Sequence, residues 1–528
     1  MQTPGSSVFF SIQGASDGQS HLLVLIDGVQ QNLQQQGRSD AGRIPVQQIE
    51  RIEIIKGAAS GSWGQALGGV VNVVTKSPDN GRSIGGVGSS SVGEHGTRDN
   101  RGEVSGTIDR FGYYLSGGSL YSKGLLPNNG VNNNNGYAKF TYELPGKGSF
   151  TGGLSYMDSA VGLDENDLVH DDATDKRFYT FLNFDYTLTE RLSLHLSGTA
   201  SSSNSVAKLG DNNQGIVTPY LEFNQHESTR SGKALLIWGD SRNSLTSGVQ
   251  YDHGKSQLWE SIYRDPADPY IVDKRKDAYA AFANGTVTLG NLTVLPGIRY
   301  DHTGYADELV SYSLGTTYKL SENTLLRVYY ANGFGLPLLD FDNGPQRVWT
   351  VQGGMESEAI PYLWLKGTLF YNNTWNVITT DFVTDREQIK QGFELEARTS
   401  PFHGFSLAGG YTYIDARDRE SGDRLHGVAA TLFKASLQYD EKHIGLKGIL
   451  TANYVDWNAS TDGNAPRYSA TIMDLFLTQR LFGNSSLSPE IFFSVRNLFD
   501  SAQYQVDKEY SVYKNTPRWI EGGVRFSF

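Results

Sequence analysis

The stretch RLSLHLS, Arg191–Ser197, alternates at every position. Leu192, Leu194 and Leu196 fall on one side of an extended chain; Arg191, Ser193, His195 and Ser197 fall on the other. Successive side chains of a strand point to opposite faces, so this segment reads as a strand with one apolar and one polar face. The pattern recurs in FSLAGGYTY, where Phe405, Leu407, Tyr411 and Tyr413 oppose Ser406, Ala408, Gly410 and Thr412. It recurs again at the C-terminus in WIEGGVRFSF, where Ile520, Val524, Phe526 and Phe528 oppose Glu521, Arg525 and Ser527. A sheet standing between lipid and a polar interior requires this period of two.

Working outward, the connections between such strands come in two lengths. DRFG, LTER, GDSRN and SEN are short; SKGLLPNNGVNNNNG, DSAVGLDENDLVHDDATDK and SAQYQVDKEYSVYKNTPR are long and polar. Short turns at one end and long loops at the other are the mark of an outer-membrane barrel. Residues 84–528 accommodate about 22 strands at roughly 20 residues per strand and connection, a size whose wide lumen is normally plugged. The hydrophobic pattern recurs without any repeat in the sequence itself, which argues against a propeller or solenoid.

Composition agrees. The 528 residues include 60 glycines, 29 tyrosines, 25 phenylalanines and 8 tryptophans, yet only 38% are hydrophobic. No run approaches the ~18 apolar residues of a membrane-spanning helix. Apolar residues are instead spread singly, as lipid-facing positions of a barrel are. A net charge of −12 and the lack of a basic cluster argue against a nucleic-acid partner. With no cysteine, disulfides, thiolate zinc sites and thiol nucleophiles are excluded. The start, MQTPGSSVFFSIQG, shows no basic stretch followed by an apolar core, so no signal peptide is read there.

Residues 1–83 differ from the rest. They carry compact apolar strands, LLVLIDGV, IERIEII and GVVNVVTK, joined by glycine- and glutamine-rich loops. Asp27-Gly28 is a turn signal. This part reads as a small globular domain of roughly 80 residues. Its centre is IERIEIIKGAASGSWGQALGGVVNVVTK, Ile49–Lys76.

That centre, with LLVLIDGVQQN before it and FFSVRNLFDSAQYQ…RWIEGGVRFSF at the C-terminus, resembles the TonB-dependent outer-membrane receptors. Residues 392–416 and 331–340 resemble their barrel segments. The resemblance spans essentially the whole chain. It implies a barrel in the Gram-negative outer membrane, surrounded by lipid and lipopolysaccharide, with residues 1–83 as a small α+β plug in its lumen. It also implies active uptake of a scarce, bulky metal chelate, powered by the TonB–ExbB–ExbD complex, with no enzymatic activity. The chelate implied first is a ferric siderophore; cobalamin is the second reading, and a passive porin or adhesin with a vestigial plug the third. No resident cofactor is implied: the iron or cobalt belongs to the cargo. Haem is less favoured, because GFGLPLLDFDNGP stands where haem receptors carry F-R-A-P…N-P-N-L with a nearby histidine. Family plugs are about half as long again, and the resemblance places a first plug strand and a TonB box ahead of Ile12.

The resemblance also locates expected sites. Ligands rest on outward plug loops, here residues 30–40 and 59–65, which nominates Asn32, Gln34, Gln35, Arg38, Ser60, Trp63 and Gln65. Amides offer both donors and acceptors, and an indole offers a flat face with one polar handle. Long-loop aromatics Tyr220, Trp259, Tyr263, Tyr270, Phe334 and Tyr504 follow as ligand contacts or as interface girdle residues. Plug cations Arg51 and Lys56 are expected opposite barrel carboxylates Glu394 and Glu396, which share one strand face; Gln13 stands where the family often has arginine. The acidic loop DENDLVHDD offers calcium the oxygens of Asp164, Asp167 and Asp171, without EF-hand spacing, against the plainer reading of a solvated loop. GASDG and GRSIG match G-x-S-x-G, but neither leads into helical periodicity, as a nucleophile elbow requires.

Overall fold

The fold is described from a computed structural model, over residues 8–16, 21–35, 37–125, 128–163, 171–213, 216–262, 270–304, 306, 308–336, 344–377, 386–425, 427–457, 468–481, 488–501, 504–506, 512–514 and 517–528. Twenty-two antiparallel strands form a closed barrel, from Gly85–Gly93 to Trp519–Ser527. Each strand pairs with its sequence neighbour, and the last closes on the first, with Phe526 opposite Gly88. The period-two expectation is realised along the wall. Leu182, Trp238 and Val249 are exposed on the outside, whereas Ser256, Thr350 and Arg299 are buried within. Aromatic pairs such as Tyr251–Tyr279 and Phe150–Phe184 lie on the outer face, with ring centroids 5.0 and 4.7 Å apart.

The wall is uneven. Leu192–Asn213, Ile216–Gly239, Asn243–Ile262 and Tyr270–Leu289 run 22, 24, 20 and 20 residues. A tilted strand crosses a bilayer in about 9–11 residues, so these four neighbours extend well past it at the long-loop end.

Inside lies a second, smaller sheet. The hairpin β1 (Ser11–Ile12) and β2 (Ala15–Ser16) precedes β3 (Leu22–Ile26), β4 (Val29–Gln30), β5 (Ile49–Lys56) and β6 (Gly69–Thr75), with a single turn of helix, α1 (Ser60–Trp63), between the last two. The sheet order is β4-β3-β6-β5, with β3 parallel to β6 and the other pairs antiparallel. A parallel pair covered on both faces reads as a continuous apolar run, which explains LLVLI and GVVNVV. On one face Leu22, Val24 and Val71 pack against Ile12 and Ala15 of the hairpin. On the other, Leu23, Leu25 and Val70 pack against Ala59 and Ala66 beside α1. Strand β5 is one edge of the sheet, where exposed Ile52 and Ile54 flank Glu53, and charge on an edge is a common guard against edge pairing.

Candidate functional site: the plug–barrel interface

The turn at Asp27-Gly28 has both residues left-handed, φ 47° and 83°, as a two-residue hairpin turn requires. That geometry carries the Asp27 carboxylate to the end of β6 and the wall behind it. It accepts from the Thr75 amide (3.0 Å), the Thr75 hydroxyl (2.5 Å) and the Tyr137 hydroxyl (2.8 Å). Lys139 donates to the Thr75 carbonyl at 3.2 Å and lies 3.6 Å from Asp27. Around this polar knot Ile26, Val29 and Val73 pack against Tyr114, Tyr137, Tyr179 and Phe181 of the barrel. Buried carboxylates persist where donors surround them, and here both domains supply those donors.

Toward the long-loop end, Glu227 of strand Ile216–Gly239 grips the loop after β4. Its two oxygens accept the backbone amides of Gln34 (2.6 Å) and Gln35 (2.9 Å), and also Gln225 Nε2 (2.7 Å) and Ser256 Oγ (3.1 Å). Successive amides converging on one anion form a compact nest. Nearby, Arg43 of the plug pairs with Asp40 at 2.7 Å and with Asp175 of the wall. Burial and the charge of Arg177 pull Arg43 down to about 10; it stays cationic at neutral pH.

On the opposite side Lys56, at the end of β5, lies 2.6 Å from Glu394 and 3.9 Å from Glu396. The expected tether through Arg51 is corrected. Arg51 is half-exposed on the sheet edge and pairs with Glu53 (2.8 Å) and Glu50 (3.7 Å) of its own strand. From an edge position it turns to the nearest carboxylates on β5. Gln13 makes a neutral contact with the wall, accepting from Gln352 at 3.3 Å. His21 is buried, with Nε2 3.1 Å from Gln346 Oε1.

Between these anchors a crevice of about 250 Å³ separates the plug from one wall. The plug side is Leu23, Leu25, Gln30, Gln34, Trp63 and Gln65. The wall side runs from Thr303 and Leu336 at the long-loop end to His195, four residues from the short turn before it. Between them lie Lys276, Asp252, Arg299, Asp301 and Lys233. His195 faces inward as its alternation implies, and its Nδ1 lies 2.6 Å from Asp185.

The nominated residues divide by what their side chains touch. Gln34, Trp63, Gln65 and Phe334 line the crevice, and Arg38 is exposed, its guanidinium 6.0 Å from the Phe9 ring. Asn32 is corrected from ligand contact to scaffold. Its oxygen accepts the Val24 amide and its nitrogen donates to the Leu22 and Gly37 carbonyls, at 2.8, 2.8 and 2.9 Å. Ser60 is likewise corrected: fully buried, it accepts the Phe334 and Ala66 amides at 3.0 and 3.3 Å. A Cβ at Gly333 would fall 2.9 Å from Ser60 Oγ, so glycine there lets the α1 turn reach the wall. Phe334 is itself buried with Leu309 and Leu336. Gln35 accepts from Ser256 at 3.3 Å. Trp259 alternates with lumenal Ser256 and Leu258 and is exposed on the outer face, the position of an interface girdle residue rather than of a contact in the lumen. Tyr270 is also exposed, and Tyr220 is half-buried in strand Ile216–Gly239. Tyr504 begins the short strand Tyr504–Val506, with its side chain outside the described residues, as are Tyr263, Asp164 and Asp167. The carbonyl of Asp171 accepts the Leu163 amide at 2.8 Å. Among the described residues no three histidine or acidic side chains gather as a metal site would need. Sequence reading missed Asp27 as a clamp and Glu227 as a grip; the turn signal at Asp27-Gly28 was the only available sign of either.

These features define a class: a transmembrane barrel whose lumen is filled by a separately folded N-terminal domain. Residues 83–498 match the family described as "TonB dependent receptor-like, beta-barrel", and residues 1–70 match the "TonB-dependent Receptor Plug Domain". The chain belongs to the TonB-dependent receptor family, whose members reside in the outer membrane of Gram-negative bacteria. It is 26% identical to the vitamin B12 transporter BtuB of Vibrio vulnificus, over 65% of this chain and 56% of that protein. The chain thus spans little more than half the length of that relative. Two solved structures share the fold. The ferric yersiniabactin uptake receptor FyuA of Yersinia pestis superposes with a TM-score of 0.83 at 16% identity, covering 100% of this chain and 93% of that one. The ferripyoverdine receptor of Pseudomonas aeruginosa gives 0.82 at 15% identity, covering 100% and 83%.

Proposed function

We propose that the protein is an active importer of a metal chelate, most simply a ferric siderophore, and that it draws on the TonB–ExbB–ExbD complex for energy. The carrying observation is the way the lumen is filled. The plug is fixed to the wall by Asp27–Tyr137, Glu227 with the Gln34 and Gln35 amides, Arg43–Asp175 and Lys56–Glu394. A barrel sealed in this way does not equilibrate a bulky solute; admitting one requires work on the plug. Every one of these polar contacts can be exchanged for water once the plug shifts, so the seal is reversible. The outward loops, with Gln34 and Trp63 at the crevice, form the binding surface in this reading.

Cobalamin is the second reading, favoured by the similarity to BtuB. Titration of the purified protein with ferric siderophores, cobalamin and haem, followed by tryptophan fluorescence, decides between cargoes. Micromolar binding of one of them is expected. No binding by any of them overturns the chelate reading. Uptake in cells should stop when the proton gradient is dissipated; uptake that continues identifies a passive porin.

A further inference from the structure

The crevice carries more positive charge than its carboxylates cover. Arg230, Lys233, Lys276 and Arg299 line it from three strands, against Asp27, Asp252 and Asp301, and Asp27 already faces Lys139 at 3.6 Å. Arg299 and Asp301 satisfy each other, with Nε 2.9 Å from both carboxylate oxygens. Asp252 accepts Gln250 Nε2 at 2.7 Å. Lys233 and Lys276 make no ion pair within 4.0 Å and no hydrogen bond among the described residues. Lys233 Nζ stands 5.9 Å from the Phe282 ring centre, which Arg299 approaches at 5.2 Å. The stem of Lys276 and the Gln34 amide occupy the room left by Gly254, where a Cβ would fall 2.6 Å from Gln34 Oε1 and 2.9 Å from Lys276 Cε.

Asp252 acts on both ammonium groups and Glu227 on that of Lys276, but neither carboxylate is in contact, and a confined ammonium without a contacting counter-ion costs stability. Packing does not call for these side chains, because other lumenal positions on the same strands, Thr229, Ser231 and Ala278, are small and uncharged. Their placement is also serial. Lys276 pairs in register with Gly254, and Gly254 with Thr229; Lys233 lies four residues farther along that strand, opposite Gln250. At about 3.3 Å per residue and about 4.8 Å per strand, their backbone positions are offset by about 13 Å along the strands and about 10 Å across them, in a crevice that runs the height of the plug. Low-dielectric walls concentrate the field of such charges on whatever enters.

We propose that this crevice is a transit subsite for an anionic metal chelate, one whose charge sits on carboxylate oxygens, with Lys276 and then Lys233 as successive contacts along the wall. The proposal rests on the chelate-import reading and narrows its cargo. The two ammonium groups exchange water for the anion's oxygens as it descends past Trp63 and Gln65.

The test uses selenate, a divalent oxyanion with an anomalous signal, on the purified full chain. Crystals soaked in selenate are expected to show anomalous density within hydrogen-bonding distance of Lys276 or Lys233 Nζ. The double variant K233Q/K276Q should lose that density and weaken selenate binding at least tenfold by isothermal titration, while K233R/K276R keeps both. Its thermal midpoint should be unchanged or higher than that of the unaltered chain. Density that is absent from the unaltered protein, or that survives in K233Q/K276Q, overturns the proposal. So does a lower midpoint in K233Q/K276Q, which would make the lysines structural. Selenate binding needs neither cargo, TonB nor a proton gradient, so its failure leaves the import reading standing; loss of uptake with selenate binding intact does the reverse.

Discussion

Acidification is expected to loosen the plug through one side chain, His21. It is 1% exposed, its Nε2 donates to Gln346 Oε1 at 3.1 Å, and it lies in the field of Lys390 of the barrel. Burial first, and then the charge of Lys390, pushes its pKa from 6.5 down to about 3, against a small opposing effect of Gln346. The folded value lies below the unfolded one. The contribution of neutral His21 is therefore fully present above pH 6.5 and is lost as the pH falls from 6.5 toward 3. At pH 5 the difference is 1.5 pH units, about 2 kcal/mol at 1.36 kcal/mol per unit. Hydrogen exchange read by mass spectrometry on peptides covering β3 gives the measurement, after correction for the intrinsic pH dependence of exchange. Protection should fall about 30-fold between pH 7.5 and 5. His21→Gln keeps a donor for Gln346 and removes the titrating ring, so its profile should be flatter by that amount. Identical slopes in the two proteins would refute the reasoning, because other carboxylates titrate equally in both.

Four further perturbations follow, three at contacts that hold the plug and one in the crevice. Glu227→Ala strands the amides of Gln34 and Gln35, so the loop at residues 30–40 should open at a cost reduced by about 2–3 kcal/mol, seen as faster limited proteolysis there. Lys56→Met leaves Glu394 without its partner; because Lys56 is one-third exposed, plug unfolding in urea should ease by only about 1–2 kcal/mol, and adding Glu394→Leu should restore most of it. Asn32→Ala should destabilise the plug by about 3 kcal/mol through three stranded backbone groups. Gln65→Ala, facing the crevice, should stay within about 0.5 kcal/mol of the unaltered protein in the same thermal melt.

Period-two alternation and the contrast between short and long connections made the barrel legible, since both follow directly from lipid outside and water inside. The plug sheet was legible as well, because LLVLI and GVVNVV are apolar at consecutive positions only if both faces are covered. The interface was less so. Asn32 and Ser60 look like ligand contacts in a polar loop, yet they are consumed by backbone groups that the loop itself leaves open. Their partners are set by the path of the chain, which residue type does not encode. Glu227 and Asp175 meet plug residues far away in sequence, and a lumenal carboxylate looks the same whether it meets water or an amide. Arg51 and Lys56 illustrate the same point: both are cations on β5, but only the one at its end reaches the wall.

The closing seam has a consequence for how the molecule is made. Trp519–Ser527 pairs with Gly85–Gly93, and the Phe528 and Gly86 backbones bond reciprocally at 3.0 and 3.1 Å. The ring therefore cannot close until Trp519–Ser527 has been synthesised, long after the plug strands. Contacts between such distant segments form late and slowly. During that interval the plug sheet, with Ile52 and Ile54 open on its edge, must be kept soluble in the periplasm and then enclosed as the final strand zips. Enclosure, rather than threading through a finished pore, is the assembly order that this chain direction favours.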